Sequence, residues 1–120
     1  MGQAYNFDRI FDDLWPICRS ITGNGLRSTL GHINKYVPIE ICEYKTGTQC
    51  FDWEIPMEWN VKDAWIKDLG GNKLVDFSEN NLHLLNYSIP KKGRVSQEIL
   101  IKHLHTLPDL PQAIPYRTSY

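Results

Sequence analysis

Apolar positions change period once along this chain, and the change falls at Pro38. Before it, Phe7, Ile10, Phe11, Leu14, Ile17, Cys18 and Ile21 recur at steps of three and four, which predicts an amphipathic helix from about Asn6 to Ile21. Pro16 lies inside that pattern and predicts a kink or a split near Trp15, because proline has no N–H for the helical ladder. Thr22-Gly23-Asn24-Gly25 reads as a break. A second helix follows, from about Gly25 to Tyr36, with Leu26, Leu30 and Ile33 as its stripe and Asn24 as its N-cap.

After Pro38 the pattern alternates. Ile39 and Ile41 predict one strand, and Phe51, Trp53 and Ile55 a second that Pro56 ends. Further strands are predicted over 61–67 and 73–77, joined by a hairpin at Gly70-Gly71-Asn72, and a fifth, apolar on both faces, over 82–87. Ser96 reads as the N-cap of a late helix from Gln97 to about Leu107, stopped by Pro108, after which the chain is Pro-rich and extended to Tyr120. The predicted class is α+β: two N-terminal helices, a mainly antiparallel small sheet or partial barrel, and one short late helix.

Composition narrows the function classes. At 120 residues the length fits one domain, and a chain of this size buries roughly 65% of its unfolded surface. The net charge is -1 and the basic residues are scattered, which argues against nucleic acid as a partner. No apolar run approaches the roughly 20 residues that span a bilayer, and the first residues lack a signal-peptide pattern, so the expected setting is cytoplasmic, without a membrane. Cys18, Cys42 and Cys50 have no metal-type spacing and fit free thiols in a reducing compartment.

The chain offers several candidate chemistries. His103 and His105 are two apart on a predicted helix, so their side chains diverge by about 200°, whereas a helical zinc pair wants a spacing of four. His32 and His83 stand alone, and no metal ligand set is expected from this chain. Cys18 lies on the first apolar stripe and reads as a small buried hydrophobe beside Ser20 rather than a nucleophile. Asp52 and Glu54 share one face of the predicted strand and read as its polar side. Gly23-Asn24-Gly25 lacks the rest of a phosphate loop and reads as a turn between helices. Trp53 falls in phase with the core. Trp59, Trp65 and Tyr87 are the candidate ligand-binding aromatics, since a flat ring stacks on a sugar, although packing explains them as well.

Three phrases stand out: Ile17-Cys18-Arg19-Ser20-Ile21-Thr22-Gly23-Asn24-Gly25, then Phe51-Asp52-Trp53-Glu54-Ile55-Pro56-Met57-Glu58-Trp59-Asn60, then Leu107-Pro108-Asp109-Leu110-Pro111-Gln112-Ala113-Ile114-Pro115-Tyr116. In this order they resemble the N-terminal part of bacterial zinc aminopeptidase-like proteins that carry a small β-domain and are often named for polysaccharide biosynthesis. The resemblance covers nearly the whole chain. It implies a hydrolase parent whose zinc ligands lie downstream of Tyr120, so no catalytic residue and no cofactor is assigned to this chain. It also implies that residues 1–36 belong to the peptidase-like body and residues 37–120 to a β-rich accessory domain, truncated at its C-terminal end. The expected function is that of an accessory fragment that shapes or covers the parent's substrate cleft. The alternative is a stand-alone saccharide- or peptide-binding module. The expected partner is the remainder of the parent chain, and the apolar first helix predicts self-association when that remainder is missing.

Overall fold

The computed structural model describes residues 5–117. It is mixed α+β, with three helices and two separate two-stranded antiparallel sheets among the described residues, and neither sheet closes into a barrel. The chain forms two compact units, Met1–Lys62 and Asp63–Tyr120. The division expected at residue 36 concerned the body of a parent protein, on which these units do not bear.

In the first unit, α1 spans Phe7–Leu14 and α2 spans Asn24–Ile33. Asn6 caps α1 by accepting the Arg9 N–H at 3.0 Å, and Asp8 in the first turn complements the helix dipole. The helix ends at Leu14 instead of kinking onward to Ile21, since Pro16 removes the next ladder donor. Arg19 covers the freed end, donating from Nη1 to the Leu14 carbonyl at 2.9 Å. Gly23, at φ 90°, is the N-cap of α2, one residue earlier than the sequence pattern predicts. The strand expected at Ile39–Cys42 does not form: among the described residues no neighbouring strand pairs with it, and the Ile39 N–H is taken by the Asn34 side chain at 2.9 Å.

The alternation through Phe51, Trp53 and Ile55 also misleads. The chain turns at Phe51-Asp52, so β1 (Gln49–Cys50) and β2 (Trp53–Glu54) form a hairpin with Cys50 opposite Trp53. Phe51 takes φ 54° at the tip and is 95% exposed. Trp53, expected in the core, is 50% exposed.

In the second unit, β3 (Trp65–Lys67) pairs with β4 (Lys73–Asp76), with a bulge after Ile66. The loop follows its sequence. Gly71 takes φ 91°, and the Asp68 carboxylate accepts from the Asn72 N–H and side chain at 2.9 and 2.8 Å. The fifth strand, expected over 82–87, is replaced by a 3-10 turn at Asn81–His83, capped by Asn80, followed by Tyr87 at φ 62°. Asx-type hydrogen bonds from a polar run compete here with strand pairing. The late helix, α3, spans only Gln97–Ile101, capped by Ser96, and the segment beyond Pro108 folds into turns instead of extending.

Among the described residues no apolar side chain is fully buried; the buried ones are Gly23, Thr29 and Asp76. The exposed surface is 10,776 Å². A folded monomer of 14.0 kDa exposes about 6,700 Å², so this chain buries about half of its unfolded surface and not the 65% its length allows.

Candidate functional site

The best-organised polar region joins the first two sequence phrases. The Asn24 N–H donates to the Asn60 side-chain oxygen at 2.7 Å, and the Trp59 N–H donates to Thr22 Oγ1 at 3.2 Å. The glycines make this approach feasible. A Cβ on Gly23 would lie 2.4 Å from the Trp59 carbonyl oxygen, and one on Gly25 would lie 1.9 Å from the Cys18 carbonyl oxygen. The turn at Gly23-Asn24-Gly25 is therefore a clasp, with Asn60 taking a donor that an anion would otherwise use.

Arg27, one turn into α2, completes the clasp. Its Nε donates to Glu43 at 2.7 Å, while Nη1 donates to Glu58 at 3.0 Å and to Asn24 at 3.3 Å, and Nη2 makes the second limb of a fork on Glu58. Hydrogen bonding to Glu58 and then Glu43 raises the Arg27 pKa, and the same fork holds the Glu58 carboxyl below its usual range. Arg27, Glu43 and Glu58, with Tyr44, Lys45, Thr46 and Met57, line an open cleft of about 620 Å³. Its chemistry is that of a shallow, charged groove. Its arginine is committed to two carboxylates.

In the second unit, Asp76 forms a local polar centre. It accepts from the Ser78 N–H and Oγ at 3.0 and 2.8 Å and pairs with Lys73. These bonds, led by the lysine, lower its pKa to about 2. The His83 ring nitrogen, Nδ1, lies 3.4 Å from the Asp76 carbonyl oxygen.

The aromatic candidates separate. Trp59 is half-buried in the first unit, with its N–H in the clasp. Trp65, in the second, is 51% exposed, with Lys67 Nζ 4.5 Å from its ring centroid. Tyr87 is half-buried at the turn where a strand was expected. Other sequence candidates shift. Asp52 lies in the hairpin turn and Glu54 in β2, so they are not two positions on one face of a strand. His103 and His105 lie beyond the end of α3, so the helical angle between them does not apply. Cys18 is half-buried, and burial pushes its thiol pKa up, which leaves it a poor nucleophile. The described residues bring no three His, Cys, Asp or Glu side chains together as metal ligands. Sequence reasoning missed the Arg27–Glu58 fork; the 31-residue separation leaves no local signal for it.

Comparison with known proteins supplies the wider frame. A family model described as a domain of unknown function, DUF2172, matches residues 58–120. The chain belongs to the DUF2172 family. It is 49% identical over 119 residues to a Clostridium acetobutylicum protein named, provisionally, as a polysaccharide biosynthesis protein with an aminopeptidase-like domain. A crystal structure of a protein from the same organism, provisionally described as a peptidase, matches 93% of this chain with a TM-score of 0.87 and 49% identity. The chain spans about a quarter of each relative: 27% of the first and 26% of the second. It is thus similar to one part of those proteins. The DUF2172 match begins at Glu58, the residue that Arg27 holds from outside the matched region. Among the described residues no helix is long and apolar enough to cross a membrane.

Proposed function

We propose that this chain is the N-terminal accessory part of an aminopeptidase-like hydrolase, shaping or covering the substrate cleft without catalysing alone. One observation carries the reading: 49% identity runs along 99% of this chain but 27% of a relative whose name includes an aminopeptidase-like domain. Among the described residues no apolar side chain is buried, which supports it, because a self-sufficient domain of this size covers more of its own surface. Zinc belongs to the parent in this reading. The residues described here do not fit a zinc site, and catalysis is assigned to residues beyond this segment. Three free cysteines support a reducing, cytoplasmic setting.

The test compares the whole protein with the 120-residue chain on aminoacyl chromogenic substrates. Turnover by the whole protein alone, abolished by chelator, is the expected result. Chelator-sensitive turnover by the 120-residue chain would refute it. A second reading, a saccharide- or peptide-binding module, draws support from the half-exposed Trp65 ring. Titration with oligosaccharides or peptides, followed by tryptophan fluorescence and lost in Trp65→Ala, would favour that reading over the first.

A further inference from the structure

We infer that the aromatic stripe Phe7, Phe11 and Trp15 on α1 is an intramolecular docking surface, covered by the remaining three quarters of a parent chain. The inference rests on the accessory-part reading and names the face through which that part attaches.

Successive members of the stripe are four residues apart, and Trp15, the C-cap, keeps helical backbone angles, so all three lie on one face. They are 74, 63 and 62% exposed, and the Phe11 and Trp15 rings stack with centroids 5.7 Å apart. Ile10 and Leu14, on the neighbouring face, are already half-buried. The helix therefore has an inner apolar face that is used and an outer one that is not. The outer stripe exposes on the order of 400 Å² of aromatic surface, a size that usually marks an interaction site.

Two arguments select the occupant. A symmetric dimer through this stripe would bury about 800 Å² in total, below the roughly 1,200 Å² of a stable interface. The relatives, in contrast, carry about three times as much chain again beyond the matched segment. Charge narrows the chemistry of the docking face. Asp8 and Asp12 flank the stripe and have no ion-pair partner among the described residues, while Arg9 Nε lies 4.0 Å from an Asp13 carboxylate oxygen. The opposing surface is therefore apolar at its centre and carries Lys or Arg at its rim.

Hydroxyl-radical footprinting of the wild-type, full-length protein tests this, read by peptide mass in native buffer and in urea. Phe7, Phe11 and Trp15 are expected to react at least about fivefold more slowly in the native protein, as in any dry interface centre. Equal rates in the two conditions would overturn the inference. Protection that disappears on dilution would assign the stripe to a second copy and also overturn it, as would a reading frame that stops at Tyr120. As a second measurement, Phe11→Ser in the full-length protein should accelerate limited proteolysis between this segment and the rest. Unchanged cleavage would count against the inference. A protected stripe in a protein inactive on aminoacyl substrates would refute the hydrolase reading and leave the docking surface standing.

Discussion

Gly25→Ala separates local propensity from tertiary approach, because the two predict opposite signs. Gly25 is the second residue of α2, and its φ is not in the left-handed region. In an isolated helix the change would stabilise by about 0.5–1 kcal/mol. In this fold the added Cβ would lie 1.9 Å from the Cys18 carbonyl oxygen and 3.0 Å from Arg19 Cα, against 3.4 Å for ordinary contact. Both neighbours are backbone, so relief needs a shift of about 1.5 Å of one chain, and overpacking of this kind costs about 1–3 kcal/mol. The larger effect wins, and the net expectation is a destabilisation of about 1–2 kcal/mol. Hydrogen exchange of the α2 amides in the native protein measures it directly. Exchange should speed by about 5–30-fold, the factor corresponding to that free energy. Exchange slowed to the degree expected of an unobstructed helical glycine would refute the close approach of the 18–19 backbone, and with it the clasp.

Gly31 is the matched control: it lies in the same helix with nothing within 4 Å of an added Cβ, so Gly31→Ala should slow α2 exchange by about 0.5–1 kcal/mol. Asn6→Ala removes the cap of α1 and should cost about 1 kcal/mol, read as faster exchange of the first α1 amides. The Asp76 pKa is lowered from 3.8 to about 2, so its stabilising contribution is complete above about pH 4 and is lost as the pH falls toward 2. Acid unfolding of the second unit should therefore steepen below pH 4, and Asp76→Asn should flatten that limb while lowering stability at neutral pH. Glu58→Gln keeps the shape of one limb of the Arg27 fork but loses its charge; it should destabilise the clasp at pH 7 and have less effect once the pH is low enough to protonate Glu58.

What the sequence determined by itself was mostly local. Ser96 starts α3 where its side chain reaches the Ile99 N–H, and Gly70-Gly71-Asn72 makes the hairpin, because these features need only residues a few positions apart. The apolar stripe of α1 and the order of the three phrases were also legible, and both pointed to a piece of a larger protein. The strand at Ile39–Cys42 failed because alternation describes only one partner of a ladder, and pairing needs a neighbour that the pattern does not contain; the apolar run over 82–87 failed because the Asn80 side chain caps a 3-10 turn there instead. Phe51 broke the cleanest alternation by turning at φ 54°, a conformation its side chain gives no cue for. The clasp was invisible for the same reason: Gly23, Asn60 and the Arg27–Glu58 fork acquire their roles only when segments more than thirty residues apart meet. Periodicity registers what a residue prefers; only the tertiary structure decides what stands opposite it.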